Sequence, residues 1–207
     1  MTNMRHWVKN LSLCGVLAFI FSVFLGSCTT LGETVSSDWP DLRIKSDKSG
    51  NSSSIRSVAL NNDFLNAPLE LYIEQKENVK ILRFRAVHSC DSANDGLSLN
   101  KAVLTNDQGG NSEYSFDISA VNRNVISGGG FRETADIAFS SYTAESSGIG
   151  QHSEPQKIKT LLELLNGTNI KLRLSGDKYS DYNISEAHIA ALKNILMYYV
   201  NITAKIE

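Results

Sequence analysis

The sequence predicts an α+β fold, mainly an antiparallel β-sheet or sandwich, followed at the C-terminal end by a helix, a strand and a second helix. Between residues 55 and 143, apolar and polar residues alternate in short runs separated by turn residues, which is typical of strands. From residue 153 onward, apolar residues recur three and four positions apart on either side of one alternating run. Residues 55–207 are long enough to bury one core, so we expect a single domain there.

The alternating region predicts three consecutive β-hairpins. In "LELYIEQKENVKILRFRAVH" the turn is expected at Gln75–Asn78, which gives the sheet one apolar and one charged face. The second hairpin is expected to turn at Asn106–Gly110 and the third at Gly128–Gly130. The first turn implies these cross-strand pairs: Leu71 with Leu82, Leu69 with Phe84, and Glu70 with Arg83.

A helix is predicted to begin at Ser153-Glu154-Pro155-Gln156, which has the pattern of a capping box with proline in the first turn. Asn166-Gly167 is a typical helix end. The run "NIKLRLSG" that follows predicts one strand, because Ile170, Leu172 and Leu174 share a face.

The final helix is predicted to be capped by Ser185, with Ile184 and Ile189 forming a hydrophobic staple. We expect its apolar stripe to be buried on the sheet, because the polar face holds too few basic residues for a membrane-surface helix. The stripe consists of Ile189, Leu192, Ile195, Leu196 and Tyr199.

Residues 28–54 are predicted to form a flexible polar tether. Thr29–Ser54 is rich in Ser, Asp, Asn, Gly and Thr, a composition that buries little apolar area. Trp39-Pro40 and Leu42 with Ile44 are the points at which the tether would dock on the domain. The alternative interpretation is an irregular first strand.

The first 27 residues have the pattern of a signal peptide. Arg5 and Lys9 precede the apolar run Leu11–Leu25, which reaches only about 22 Å as a helix and is short for a membrane span. The next residues, Leu25-Gly26-Ser27-Cys28, resemble the lipobox of bacterial lipoproteins. The resemblance implies that Cys28 receives a diacylglyceryl group, that cleavage occurs before it, and that the protein is anchored in the cell envelope. By the sorting rule of the same family, Thr29 after the cysteine implies the outer membrane.

Removal of residues 1–27 takes away two cations and no carboxylate, so the formal charge falls from −2 to −4. This mild acidity argues against a nucleic-acid partner. Cys14 would leave with the signal peptide and Cys28 would be lipidated, so Cys90 would be the single free thiol and no internal disulfide would form.

The stretch "HSCDSANDG" holds the densest set of metal-ligating side chains, namely His88, Cys90, Asp91 and Asp95. As a calcium loop it has Ala93 and Ala102 where ligands are required, and as a zinc site it offers two ligands on one strand face and no third. We therefore expect a strand end running into an Asx-rich loop, with no metal and no other cofactor.

The remaining motifs favour loops over sites. "SGGGF" has no following helix start, and "GIGQHSEPQK" lacks a surrounding nucleotide-binding unit. His188 is expected to be solvated. No catalytic elbow, zinc-protease or Cys-x-x-Cys pattern stands in a suitable setting.

Three functions are compatible with these features. The favoured one is a membrane-anchored binding or interaction module for an envelope protein, a glycan or a small ligand. The alternatives are a structural component of an envelope complex and an envelope hydrolase with His88 or His152 as base. Convergence of residues 88–96 with residues 148–153 in one pocket would favour the hydrolase.

Overall fold

Two antiparallel sheets and three helices account for most of the chain that the computed structural model describes, which is residues 33–47, 50–62, 67–126, 129–144 and 151–204. The predicted α+β class is confirmed. No helix in these ranges combines the length and the apolar character needed to cross a bilayer. Cys28 and the signal-peptide pattern lie outside the described residues.

Sheet A has eight strands and sheet B has four. The strands of sheet A are β1 (Glu33–Thr34), β2 (Leu42–Ser46), β3 (Ser53–Ser57), β4 (Leu69–Lys76), β5 (Val79–Cys90), β8 (Asn122–Val125), β9 (Phe131–Thr143) and β10 (Gln151–His152). Those of sheet B are β6 (Lys101–Thr105), β7 (Asn111–Ser115), β11 (Lys171–Ser175) and β12 (Tyr179–Asn183). The helices are α1 (Val58–Asn62), α2 (Pro155–Leu165) and α3 (Glu186–Ala204), and two 3-10 turns cover Ala93–Asp95 and Ile118–Ala120.

Sheet A runs in the order β1-β2-β3-β4-β5-β9, and β8 and β10 pair with different ends of β9. Sheet B runs in the order β12-β11-β6-β7. The core lies between the inner face of sheet A, sheet B and the helices, and α3 packs on β3 and β4. As predicted, Leu192, Ile195, Leu196 and Tyr199 of α3 are fully buried.

The first predicted hairpin exists, but its predicted register is wrong by two residues. Lys76 pairs with Val79, so the turn contains only Glu77 and Asn78, and Glu77 has a left-handed φ of 51°. Such tight turns are usually marked by Asn-Gly, which this sequence lacks at that point. A shift of two residues leaves every side chain on its predicted face. The observed pairs are Leu71 with Phe84, Ile73 with Leu82, and Glu70 with Arg85.

The second and third hairpins are confirmed. Strands β6 and β7 enclose the turn at residues 106–110, where the side-chain oxygen of Asn106 accepts hydrogen bonds from the backbone of Gln108 and Gly110. Strand β8 pairs with the start of β9, and Ile126 N–H donates to the carbonyl of Gly130. Gly128 lies outside the described residues.

The flexible tether predicted for residues 28–54 is wrong over the part that the structure describes, because this part forms β1, β2 and the start of β3. The structure therefore agrees with the alternative interpretation, in which this stretch of the chain forms strand instead of a tether. The predicted docking points are confirmed: Leu42 is fully buried, and the Trp39 ring contacts that of Tyr198 edge to face at 5.4 Å.

The predicted capping box of α2 is also wrong. Glu154 occupies the N-cap position without a side-chain cap, and the Ser153 hydroxyl accepts a hydrogen bond from Ser141 N–H at 3.0 Å instead. Competition from the β9 edge explains the difference, since Ser153 N–H also donates to the carbonyl of Ser141. The helix end at Asn166-Gly167 is confirmed, as is the Ser185 cap of α3.

The single predicted strand between α2 and α3 is half of a hairpin. Strand β11 is as expected, with Leu172 and Leu174 buried, but it pairs on its far edge with β12. The β12 sequence "YSDYN" is polar and gives little apolar alternation, so no strand was expected there.

Candidate functional site

His88 lies near the end of β5 and is 5% exposed. Its Nδ1 lies 2.7 Å from the hydroxyl of Tyr182 on β12, and its Nε2 lies 3.4 Å from the backbone carbonyl of Asp95. Both ring nitrogens are therefore engaged by groups of the protein itself. The imidazole links the edge of sheet B to the loop after β5, which is a structural role.

The other three predicted ligands do not converge with His88. The Cys90 thiol donates to the backbone carbonyl of Ser92 at 3.1 Å, while Asp91 and Asp95 are exposed. Within the described residues no three His, Cys, Asp or Glu side chains are placed to share a metal ion. β5 ends at Cys90 and a 3-10 turn capped by Ser92 follows, as expected for a strand end running into a loop.

Cys90 is expected to be a slow nucleophile at neutral pH. Burial is the main cause that raises the pKa of its thiol; the hydrogen bond to Ser92 partly offsets it, and the charges of Asp95, Glu133 and Asp91 raise the pKa further. Alkylation by iodoacetamide at pH 7 should be slower in the folded protein than in urea. Equal rates in the two states would contradict this environment.

The histidines named as bases for a hydrolase lie apart. His88 of β5 pairs with Glu133 of β9, and His152 of β10 pairs with Tyr142 of the same strand. Nine residues of strand separate these two positions, which is about 30 Å. The described backbone therefore does not bring residues 88–96 together with His152, the convergence that would favour the hydrolase hypothesis; Gly148 and Gly150 lie outside the described residues.

The prediction of a solvated His188 is wrong. Its Nε2 lies 2.6 Å from the backbone carbonyl of Leu69 on β4, so the side chain is half-buried between α3 and sheet A. The helix face that carries it packs on β4, which the sequence pattern of α3 alone did not indicate.

A different cluster lies on the outer face of sheet A, the face turned away from the core. Strand register places side chains from four adjacent strands in two rows there. In one row Glu70, Arg85 and Asp136 are consecutive neighbours across β4, β5 and β9. In the other row Tyr72 of β4 faces Arg83 of β5.

Tyr72 is at the centre of this cluster. The guanidinium carbons of Arg56 and Arg85 lie 4.0 Å and 4.7 Å from the centroid of its ring, an arrangement that favours cation–π attraction. Its hydroxyl donates to Asp136 Oδ2 at 2.6 Å. Burial, together with the hydrogen bond to Asp136 and its charge, raises the pKa of Tyr72 to about 12. The phenol therefore stays neutral over the physiological range.

The carboxylates of the cluster are all paired. Glu70, which is 4% exposed, pairs with Arg56 and lies 3.3 Å from Arg85. Asp136 accepts from Arg85 at 2.6 Å, and Glu74 accepts from Arg83 at 2.7 Å. The acidic groups are thus neutralised within the sheet and present little free charge to a partner.

The same face carries more cations than these carboxylates neutralise. Among the described residues that lie within the strands of sheet A and point outward, seven are cationic and three are acidic, on a chain whose net charge is −2. Four of the cations have no carboxylate partner among the described residues. The seven are Arg43, Lys45, Arg56, Lys76, Arg83, Arg85 and Arg132; the four are Arg43, Lys45, Lys76 and Arg132.

Arg43 and Arg56 form a like-charge pair. They are direct cross-strand neighbours on β2 and β3, an arrangement that destabilises a sheet in isolation. Lys45 lies two residues further along β2 on the same face and is exposed. Two of the four cations without a carboxylate partner among the described residues thus lie on β2, which is the part of sheet A that the tether interpretation left out.

Comparison with known proteins gives no further guide: no family model matches the chain, and neither curated proteins nor solved structures match it significantly.

Proposed function

We propose that the protein is a lipoprotein of the bacterial cell envelope, anchored through Cys28, whose folded domain binds an anionic partner on the outer face of sheet A. The observation that carries the binding proposal is the excess of seven cations over three paired carboxylates among the described strand residues of one face, on a net-acidic protein. Clustered charge of one sign attracts and orients an oppositely charged partner.

The anchor proposal rests on the order of the N-terminal features. Two cations, an apolar run and Leu25-Gly26-Ser27-Cys28 follow one another as they do in lipoprotein precursors. At about 0.8 kcal/mol per buried methylene, two or three acyl chains would hold the domain at a membrane where one would not. By the sorting rule of lipoproteins, Thr29 after the cysteine supports anchoring in the outer membrane.

The geometry gives the hydrolase alternative no support. Both nitrogens of His88 contact groups of the fold, and the backbone positions of His88 and His152 are separated along β9. A role as a structural part of an envelope complex is compatible with the same charged face, but no contact favours it over a binding module.

Replacing Cys28 by Ala is expected to abolish incorporation of labelled fatty acid and to leave a larger, uncleaved precursor. The reason is that the thiol of Cys28 is the proposed acceptor of the lipid and that cleavage follows its modification. Metabolic labelling and gel mobility measure both effects. Cys90→Ala is the matched control and should be lipidated and processed like the wild type.

Two outcomes would contradict the anchor proposal. One is retention of the label in Cys28→Ala, and the other is absence of the label from the wild type. Recovery of wild-type protein only in the inner-membrane fraction would contradict the outer-membrane assignment alone.

A further inference from the structure

We infer that the anionic partner of the outer face of sheet A is the headgroup surface of the membrane in which the protein is itself anchored. The inference rests on the proposed lipidation of Cys28. It specifies the partner as a lipid surface reached in cis, and it follows from two observations: the small number of residues between Cys28 and β1, and the position of the cations that lack a carboxylate partner among the described residues.

The first observation concerns chain length. A tether over residues 28–54 would have let the domain move freely, but β1 begins at Glu33. Five residues of fully extended chain span at most about 18 Å, so Glu33, the first residue of β1, can lie no further than that from a lipid-bearing Cys28. Tethering at this range gives the surface a high effective concentration at this edge.

The second observation concerns where the free charge lies. Arg43 and Lys45 are on β2, one strand away from β1, and neither is paired with a carboxylate among the described residues. Among the described residues, the Arg43 guanidinium donates hydrogen bonds to the backbone carbonyls of Pro40 and Leu42, which carry no formal charge to offset its own. Two of the four cations that lack a carboxylate partner among the described residues thus lie on the strand next to β1.

The chemistry of the face suits a lipid surface. The face is broad and is formed by adjacent strands. Its carboxylates form ion pairs with Arg56, Arg83 and Arg85, which reduces their repulsion of lipid phosphate groups. Each Lys or Arg near an anionic leaflet is expected to favour the docked state about fivefold, which corresponds to about 1 kcal/mol. Repulsion between Arg43 and Arg56 would also be relieved by phosphates placed between them.

The test measures how fast a maleimide reagent reaches the outer face of sheet A in the membrane-anchored protein. Ser54 points outward on β3, between Lys45 and Glu74, so a Ser54→Cys variant reports on this face. Asn111→Cys, exposed on β7 of sheet B, is the matched position away from it. Both are made with Cys90→Ser, and the lipidated proteins are added to preformed vesicles before reaction with a polyethylene-glycol maleimide.

With vesicles of phosphatidylcholine containing phosphatidylglycerol, we expect labelling at Ser54→Cys to slow several-fold relative to phosphatidylcholine alone, while Asn111→Cys is unchanged. Arg43→Glu with Lys45→Glu should weaken docking by at least about 25-fold and restore the labelling rate. Lys159→Glu with Lys171→Glu, which changes the charge equally at exposed positions off sheet A, should not. Salt at about 1 M should restore the labelling rate of Ser54→Cys in the same way as Arg43→Glu with Lys45→Glu, because it shortens the Debye length to about 3 Å.

Equal labelling of Ser54→Cys in the two kinds of vesicle would overturn the docking inference, as would slowing that persists in Arg43→Glu with Lys45→Glu. In either case a protein or glycan becomes the partner to seek. Flotation with phosphatidylcholine vesicles separates the two proposals. Protein that floats but shows no dependence on phosphatidylglycerol overturns docking alone, whereas protein that does not float overturns the anchor and the docking inference together.

Discussion

A chain that begins at Ser53, without β1 and β2, is expected to be unfolded, whereas a chain that begins at Glu33 is expected to fold. The shorter chain loses the side chain of Leu42, which is fully buried, and the contact of Trp39 with α3. It also exposes Ile55, which is 2% exposed and pairs with Ile44 on β2. Loss of one buried leucine side chain costs about 2–5 kcal/mol, against about 5–15 kcal/mol for a whole domain.

Circular dichroism and thermal melting of the two chains measure this effect directly. Leu42→Ala, made in the chain from Glu33, should lower the free energy of unfolding by about 2–5 kcal/mol. Lys45→Ala, on the same strand but exposed, should change it by no more than about 0.5 kcal/mol. A cooperative melt of the chain from Ser53 at the same temperature as the longer chain would restore the tether interpretation.

The tether prediction was wrong because average composition concealed a periodic pattern. Thr29–Ser54 is polar as a whole, yet Leu42 and Ile44 alternate with Arg43 and Lys45. Two apolar residues two apart can be buried when a neighbouring strand pairs with them and a core lies beneath them, as β3 and the core cluster do for Leu42 and Ile44. Average composition carries no information about which strand or core surface will lie beside a segment. The alternation at Leu42–Lys45 is also too short to outweigh the polar composition of the whole stretch.

The hairpins were predicted because each one is local, and its alternation and turn residues lie within about twenty positions of each other. Pairing of β5 with β9 is not local: Arg85 and Asp136 are 51 residues apart in the sequence and 2.6 Å apart in the structure. The contact of Arg56 with Tyr72 depends on the pairing of β3 with β4, which the alternation within the predicted hairpins did not indicate. The charged face of the first hairpin could therefore be predicted, while the cluster across four strands could not.

The buried carboxylate of Glu133 also could not be predicted from the sequence, and its removal is expected to have the second large effect on stability. Glu133 lies on β9, is 1% exposed, and faces His88 across the strand pair. It accepts hydrogen bonds from the backbone N–H groups of Leu97 and Leu99 at 2.6 Å and 3.3 Å and from Arg123 Nε at 3.1 Å. Nothing in the sequence around Glu133 indicated a buried acid, since its donors come from the loop after β5 and from β8.

This carboxylate connects the two sheets. The loop that it holds continues into sheet B, where Asn100 N–H donates to the carbonyl of Ser175 and the carbonyl of Leu97 accepts from Asp177 N–H. Between the two bound N–H groups, Ser98 has a left-handed φ of 55°, which turns both donors toward Glu133. Successive N–H groups arranged in this way form an anion-binding concavity, here filled by a side chain of the protein.

Glu133→Ala is therefore expected to lower the free energy of unfolding by about 3–5 kcal/mol, because it leaves two buried N–H groups and one guanidinium without their acceptor. Glu133→Gln should lose less, since one amide oxygen can still accept a backbone hydrogen bond. Glu113→Ala is the matched control: it removes a glutamate whose ion pair with Lys101 is exposed, and should cost no more than about 1 kcal/mol. Urea unfolding curves measure all three. A loss for Glu133→Ala no larger than that for Glu113→Ala would mean that the contacts of Glu133 do not hold the two sheets together.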